Sequence, residues 1–197
     1  MTVHGVPFET VRIPLYRADS KPRLLAYSPA GKVPVLIDGE IRVWESLAIL
    51  DYLAERFPET RAWPDEVAAR AHARSICAEM HAGFQALRSQ CGMNVRRRFA
   101  AREWPPEVQA DVARIRSIWT DCRARFGAGG PFLFGRFGAA DAMYAPVVWR
   151  LENYAHVVEP PVRAYMDAML ALPAMRDWHA ASVAETEVIP QFEPAAP

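Results

Sequence analysis

Lys32, Val33 and Pro34 stand just before a short apolar run, and Glu45 and Ser46 stand just after a second one. Proline has no N–H and biases the residue before it toward extended backbone, so Val33 is expected to hold its own N–H and C=O open to a partner. Ser46 opens a stretch with helical periodicity, and the first turn of a helix carries unpaired N–H groups that attract an anion. Lys32 and Glu45 add one charge of each sign. Simpler readings stand beside these: a trans turn proline, a serine that only caps its helix, a solvated glutamate and a loop lysine.

The elements that must position these residues follow from the pattern around them. Val35 to Ile37 and Ile41 to Val43 read as two strands, with Asp38-Gly39 as the turn between them. Leu47, Ile49, Leu50, Leu53 and Phe57 then line one side of a helix begun by Ser46. Upstream, His4-Gly5 has the form of a helix end, Thr10 to Leu15 alternates as a strand with Pro14 at its end or on an edge, and Asp19 to Tyr27 reads as a short helix. These make an α/β unit, assigned to residues 1–60, and Pro58 to Pro64 reads as a linker.

The remainder reads as all helix, assigned to residues 65–185 with a Pro-rich tail over 186–197. A long helix is expected from Asp65 through Ile76, Met80, Phe84 and Leu87, stopping at Cys91-Gly92. A second runs from Glu107 to Phe126 on the stripe Val108, Val112, Ile115, Trp119, Cys122. A third, from Ala139 to about Val158, is apolar nearly all round and so central, with Asp141 placed to accept N–H groups in its first turn. Pro161 to Ala171 and Pro173 to about Ala184 supply two more.

The composition is globular: 51% apolar, 23% charged, with 23 basic and 23 acidic side chains. A net charge of zero provides no field for nucleic acid or a membrane surface, which favours a small or protein partner. Cys77, Cys91 and Cys122 are sparse and lack metal-site spacing, so they read as core thiols in a reducing, cytoplasmic setting rather than a disulfide or zinc framework.

Ser28-Pro29-Ala30-Gly31-Lys32-Val33-Pro34-Val35-Leu36, Trp44-Glu45-Ser46-Leu47-Ala48-Ile49-Leu50-Asp51-Tyr52-Leu53, Phe132-Leu133-Phe134-Gly135 and Ala139-Ala140-Asp141-Ala142 together resemble the cytosolic glutathione transferase family, most nearly its bacterial maleylacetoacetate-isomerase-like branch. The resemblance implies a thioredoxin-like first domain, an all-helical second domain, glutathione as co-substrate and a homodimer. It implies a cis peptide before Pro34 and pairing of the Val33 backbone with the cysteinyl part of glutathione. It further places the γ-glutamyl carboxylate at Ser46, the ammonium near Glu45 and the glycyl carboxylate near Lys32. An extended backbone segment and a helix N-terminus are what an extended peptide with a carboxylate at each end requires.

In full-length members a strand, a loop with the catalytic Ser, Cys or Tyr and most of a helix precede the segment matching Gly5 to Glu9. Only Met1 to His4 stand there, so the first domain is expected to be incomplete, its sheet edge uncovered, and the chain weak or inactive as an enzyme. No catalytic residue is assigned. Two functions compete: a transferase that conjugates glutathione to an electrophile or uses it for cis–trans isomerisation of a small unsaturated acid, and a non-catalytic glutathione-binding or protein-interaction module. For the acid substrate, Met93, Asn94, Arg96 and Arg97 are the expected contacts, against the plainer reading of Arg96-Arg97-Arg98 as a solvated basic face.

Overall fold

The computed structural model describes residues 1–189. The chain divides into two compact units, Met1–Ala62 and the remainder from Trp63. The first is an incomplete thioredoxin-like β-α unit with an open sheet of two strands, and the second is mostly α-helical.

In the first unit a 3₁₀ turn over Thr2–His4 ends at Gly5, whose φ of +66° lets its N–H reach the Thr2 carbonyl, as the His4-Gly5 pair predicts. Helix α1 covers Ser20–Leu25, strands β1 and β2 cover Val35–Asp38 and Ile41–Trp44, and helix α2 covers Ser46–Arg56. The strands pair antiparallel with Asp38 opposite Ile41 and Val35 opposite Trp44. The turn therefore centres on Gly39-Glu40, one residue later than the Asp38-Gly39 pair suggests. Gly39 takes φ +58° at the first turn position, the place where tight hairpins most need glycine.

Thr10 to Leu15 is not a strand. Alternation makes a segment fit to be a strand, but a strand exists only where a neighbour takes its N–H and C=O groups. Among the described residues no strand pairs with this segment, and Pro14 instead gives its carbonyl to the Ser20 hydroxyl at 2.7 Å.

The second unit holds helices α3 (Val67–Ala82), α4 (Gln85–Gln90), α5 (Pro106–Phe126), α6 (Ala139–Asn153), α7 (Pro160–Leu170) and α8 (Pro173–Ala184). The long helix expected from Asp65 to Cys91 is broken at Gly83-Phe84. Gly83 leaves helical geometry and Phe84 takes φ +59°. Arg88 makes the break tolerable by donating to the Gly83 carbonyl at 3.0 Å and to the Met80 carbonyl, satisfying acceptors the first helix leaves open.

α6 ends at Asn153 rather than near Val158, because Ala155 turns to φ +53° and the His156 N–H returns to the Leu151 carbonyl. Asp141 opens α6 as expected, accepting from Gly138 N–H at 2.9 Å and Leu133 N–H at 3.1 Å. Burial lifts its carboxyl to about 6, against the pull of those two donors.

α6 is the central helix: α3 and α7 pack on it, α5 packs on α4 and α7, and Trp119, Tyr144, Leu151, Tyr165 and Met166 are wholly buried. The three cysteines form no disulfide and are buried in this core, and desolvation pushes the Cys91 and Cys122 thiols up to about 12. Among the described residues no helix is long and apolar enough to cross a membrane. The tail assigned to 186–197 lies outside the described residues from Pro190 onward.

Candidate functional site

The site is built on the path from α1 through the hairpin into α2. Ser28 closes α1 with its hydroxyl accepting from Ala30 N–H at 3.3 Å, and Gly31 follows with φ +55°. Lys21 reaches from α1 to the carbonyls of Ala30 and Gly31, at 3.3 and 3.2 Å, and so fixes the loop that presents Lys32. A Cβ at Gly31 would stand 2.5 Å from the Lys21 Nζ, so glycine is needed both for its backbone angle and for this tie.

Lys32, Val33 and Pro34 are exposed, and the Val33–Pro34 peptide bond is cis. Val33 keeps 53% of its surface open just before β1. From the opposite strand Arg42 donates to the carbonyls of Ala26 and Tyr27, at 2.9 and 3.1 Å, clamping the hairpin to the end of α1. At the far end of β1 the Tyr52 hydroxyl and the Arg56 Nε both reach Asp38 Oδ2, at 2.7 and 3.4 Å, and tie the strand to α2. The Tyr52 hydrogen bond, with the Arg56 charge, holds the Asp38 carboxyl below its usual range.

Glu45, not Ser46, is the N-cap of α2, and it carries φ +68° and ψ +128°. That backbone is strained for any residue with a Cβ. Ser46 is the first helical residue and is half-buried, and neither side chain caps the helix. Capping alone therefore does not explain a serine here. Exposed Glu45, half-buried Ser46 and the open N–H groups of the first turn of α2 form one group of polar atoms.

Met93, Asn94, Arg96 and Arg97 belong to the second unit, on the irregular segment after α4. Asn94 gives its side-chain oxygen to the Arg97 N–H at 3.1 Å and its carbonyl to Asn153, and Arg96 donates to the Glu185 carbonyl at 3.1 Å. Arg97 is exposed and lies over the Phe99 ring at 5.5 Å. Arg98, from the same basic run, bonds Asn153 and pairs with Glu152 at 3.2 Å.

Sequence reasoning missed the Cys91–His156 contact, 3.5 Å from Sγ to Nε2, with Trp104 stacked 4.8 Å from the His156 ring. Desolvation, helped by the Arg102 charge, lowers His156 to about 4 while burial raises Cys91, so the pair is neutral and structural. Sixty-five positions separate the two residues, and no local pattern links them. The Lys21 and Arg42 clamps were missed for the same reason.

Residues 1–61 match the glutathione S-transferase N-terminal domain model, and residues 105–181 match the corresponding C-terminal domain model. Among curated proteins, maleylacetoacetate isomerase of Pseudomonas aeruginosa is 26% identical over 199 residues, 94% of this chain and 90% of that protein. Glutathione S-transferase F10 of Arabidopsis thaliana is 46% identical over 54 residues, but that match spans only 27% of this chain and 25% of that protein. Among solved structures, a Burkholderia BGR1 glutathione transferase homolog with bound glutathione superposes with a TM-score of 0.68 at 22% identity, over 93% of this chain and 88% of that one. The chain has the fold of the cytosolic glutathione S-transferase superfamily, with reduced strand content in its first unit.

Proposed function

We propose that this protein is a glutathione-binding module of the transferase fold that holds the tripeptide without activating its thiol. The observation that carries the reading is exposed Val33, next to the cis bond to Pro34, in the same unit as the strained Glu45-Ser46 entry to α2. The Burkholderia counterpart of this fold carries glutathione. The Val33 N–H and C=O would pair with the cysteinyl residue. Ser46 and the first turn of α2 would take the γ-glutamyl carboxylate, Glu45 its ammonium, and Lys32 the glycyl carboxylate.

Within the same unit several hydroxyls are already committed: Ser20 to the Pro14 carbonyl, Ser28 to Ala30 N–H and Tyr52 to Asp38. All three cysteines are buried in the other unit. These commitments support binding over thiol activation.

Titration calorimetry tests the reading. Glutathione binds, and Ser46→Ala weakens it by about tenfold, the scale of one lost charge-assisted hydrogen bond. An unchanged affinity removes Ser46 from the site, and no binding at all removes the reading.

The match along most of the Pseudomonas maleylacetoacetate isomerase favours a second reading, an enzyme of that branch working as a homodimer. Met93, Asn94, Arg96 and Arg97 would then contact a small unsaturated acid, the arginines pairing its carboxylates. Robust conjugation or isomerisation by the purified chain would select this reading over the first.

A further inference from the structure

Around the Cys91–His156 contact in the second unit the charged side chains are all of one sign. Arg102 lies 4.0 Å over the Trp104 ring, and Trp104 in turn stacks on His156. Arg150 of α6 donates from Nε to the Cys91 carbonyl at 2.9 Å and from Nη1 to the Pro146 carbonyl at 3.4 Å. Arg88 of α4 donates from Nε to the Gly83 carbonyl and from Nη2 to the Met80 and His81 carbonyls. These bonds fix both guanidinium groups, yet among the described residues they leave Arg88 Nη1 and Arg150 Nη2 without a partner. Neither nitrogen is sealed from solvent.

No carboxylate answers these charges. Arg98, Arg114, Arg116 and Arg163 of the same unit all form ion pairs, whereas among the described residues Arg88, Arg102 and Arg150 form none. Burial lowers Arg150, and the Arg88 charge lowers it further. Arg102 and Arg150 act on Cys91, and Arg102 acts on His156; no acidic side chain offsets them at either residue. A half-buried charge without a counter-ion is costly, and here two stand close enough to repel.

We propose that Arg88, Arg102 and Arg150 form a site for a small dianionic oxyanion, either phosphate or a short dicarboxylate. The site goes beyond the glutathione reading and does not rest on it, since every residue in it lies in the second unit. Guanidinium nitrogens held by carbonyls are preorganised donors, and their fork geometry suits phosphate and carboxylate oxygens alike. A dianion is called for because one negative charge would leave two of the three arginines uncompensated. The same field repels a metal ion, so the thiol and imidazole side by side are not a cation site.

The test is calorimetry of the full chain with inorganic phosphate and, separately, with succinate, at an ionic strength held constant with sodium chloride. One of the two binds, and which one names the ligand class. Arg102→Gln, at an exposed position, should keep the circular dichroism spectrum and weaken binding several-fold, and Arg150→Gln should weaken it by about tenfold or more. If Arg150→Gln does not fold, Arg102→Gln decides. Bound anion should also offset the Arg102 charge, so the His156 imidazole signal in NMR should titrate at higher pH than the value near 4 of the empty protein. A purely structural role for the arginines would not move that titration.

No binding of either anion above the chloride background overturns the proposal, as does equal affinity in wild type and both variants. A His156 titration unmoved at saturation overturns the placement. Glu193 is the acidic side chain among residues 190–197. If Glu193→Gln binds the anion about tenfold more tightly than wild type, the chain's own carboxylate fills the site and an external ligand is overturned.

Discussion

Glu45 joins β2 to α2 through a backbone angle of φ +68° and ψ +128° that residues with a Cβ avoid. Such strain clusters at ligand sites, and on the glutathione-binding proposal it sets stability against binding. Glu45→Gly should raise unfolding stability by about 1 kcal/mol, because glycine takes the angle without strain. On the same proposal, which pairs Glu45 with the glutathione ammonium, the change should weaken glutathione several-fold, and denaturation midpoint and calorimetry together check both. His156 gives a second prediction at this scale. In the unfolded chain it takes a proton near 6.5 but in the folded chain only near 4, so between those values the unfolded state binds more protons. Stability should therefore fall as pH drops from about 6.5 to 4, by about 2 kcal/mol for this half-buried ring. His156→Gln should flatten that part of the urea-unfolding profile.

The break between α3 and α4 shows what an element needs beyond a pattern. Ile76, Met80 and Leu87 are all buried, as one uninterrupted helix would have them, yet Gly83 and Phe84 interrupt the backbone. Periodicity records which side chains face the core, and both a broken and an unbroken helix can satisfy it. What decides is whether the orphaned carbonyls find donors, and Arg88 from α4 supplies them at Gly83, Met80 and His81. Arg88→Met, which keeps much of the stem but removes the donors, should cost about 1–3 kcal/mol and speed amide exchange in α4 before α3. The end of α6 carries the same lesson: Tyr154 stays buried on the expected stripe although the helix has already stopped at Asn153.

The two units differ in how they bury apolar surface. α2 has no buried residue, whereas α5 and α6 bury most of their inward faces, including Trp119, Tyr144 and Leu151. A unit with a thin core and an open sheet edge lies at the low end of local stability. Hydrogen exchange should show β1, β2 and α2 exchanging well before α5 and α6. Equal protection in the two groups would mean that something covers the first unit in solution. The Asp38–Tyr52–Arg56 tie adds a pH dependence there. Asp38 is held below its usual range when folded, so its contribution is present above about pH 4 and is lost as pH falls through the lowered value.

By itself the sequence determined the β1–β2 hairpin, most of the helices, the Val33-Pro34 and Glu45-Ser46 junctions, the Asp141–Gly138 bond at the start of α6 and the buried cysteine stripe. These rest on neighbours within a few residues, where chain connectivity brings the partners together. Only the tertiary structure decided that Thr10 to Leu15 is no strand, that α3 stops at Ala82, that Glu45 is strained, and that Lys21, Arg42 and Tyr52 clamp the site. Each of these depends on whether a hydrogen-bonding or packing partner arrives from elsewhere in the chain, and periodicity along the chain carries no record of that.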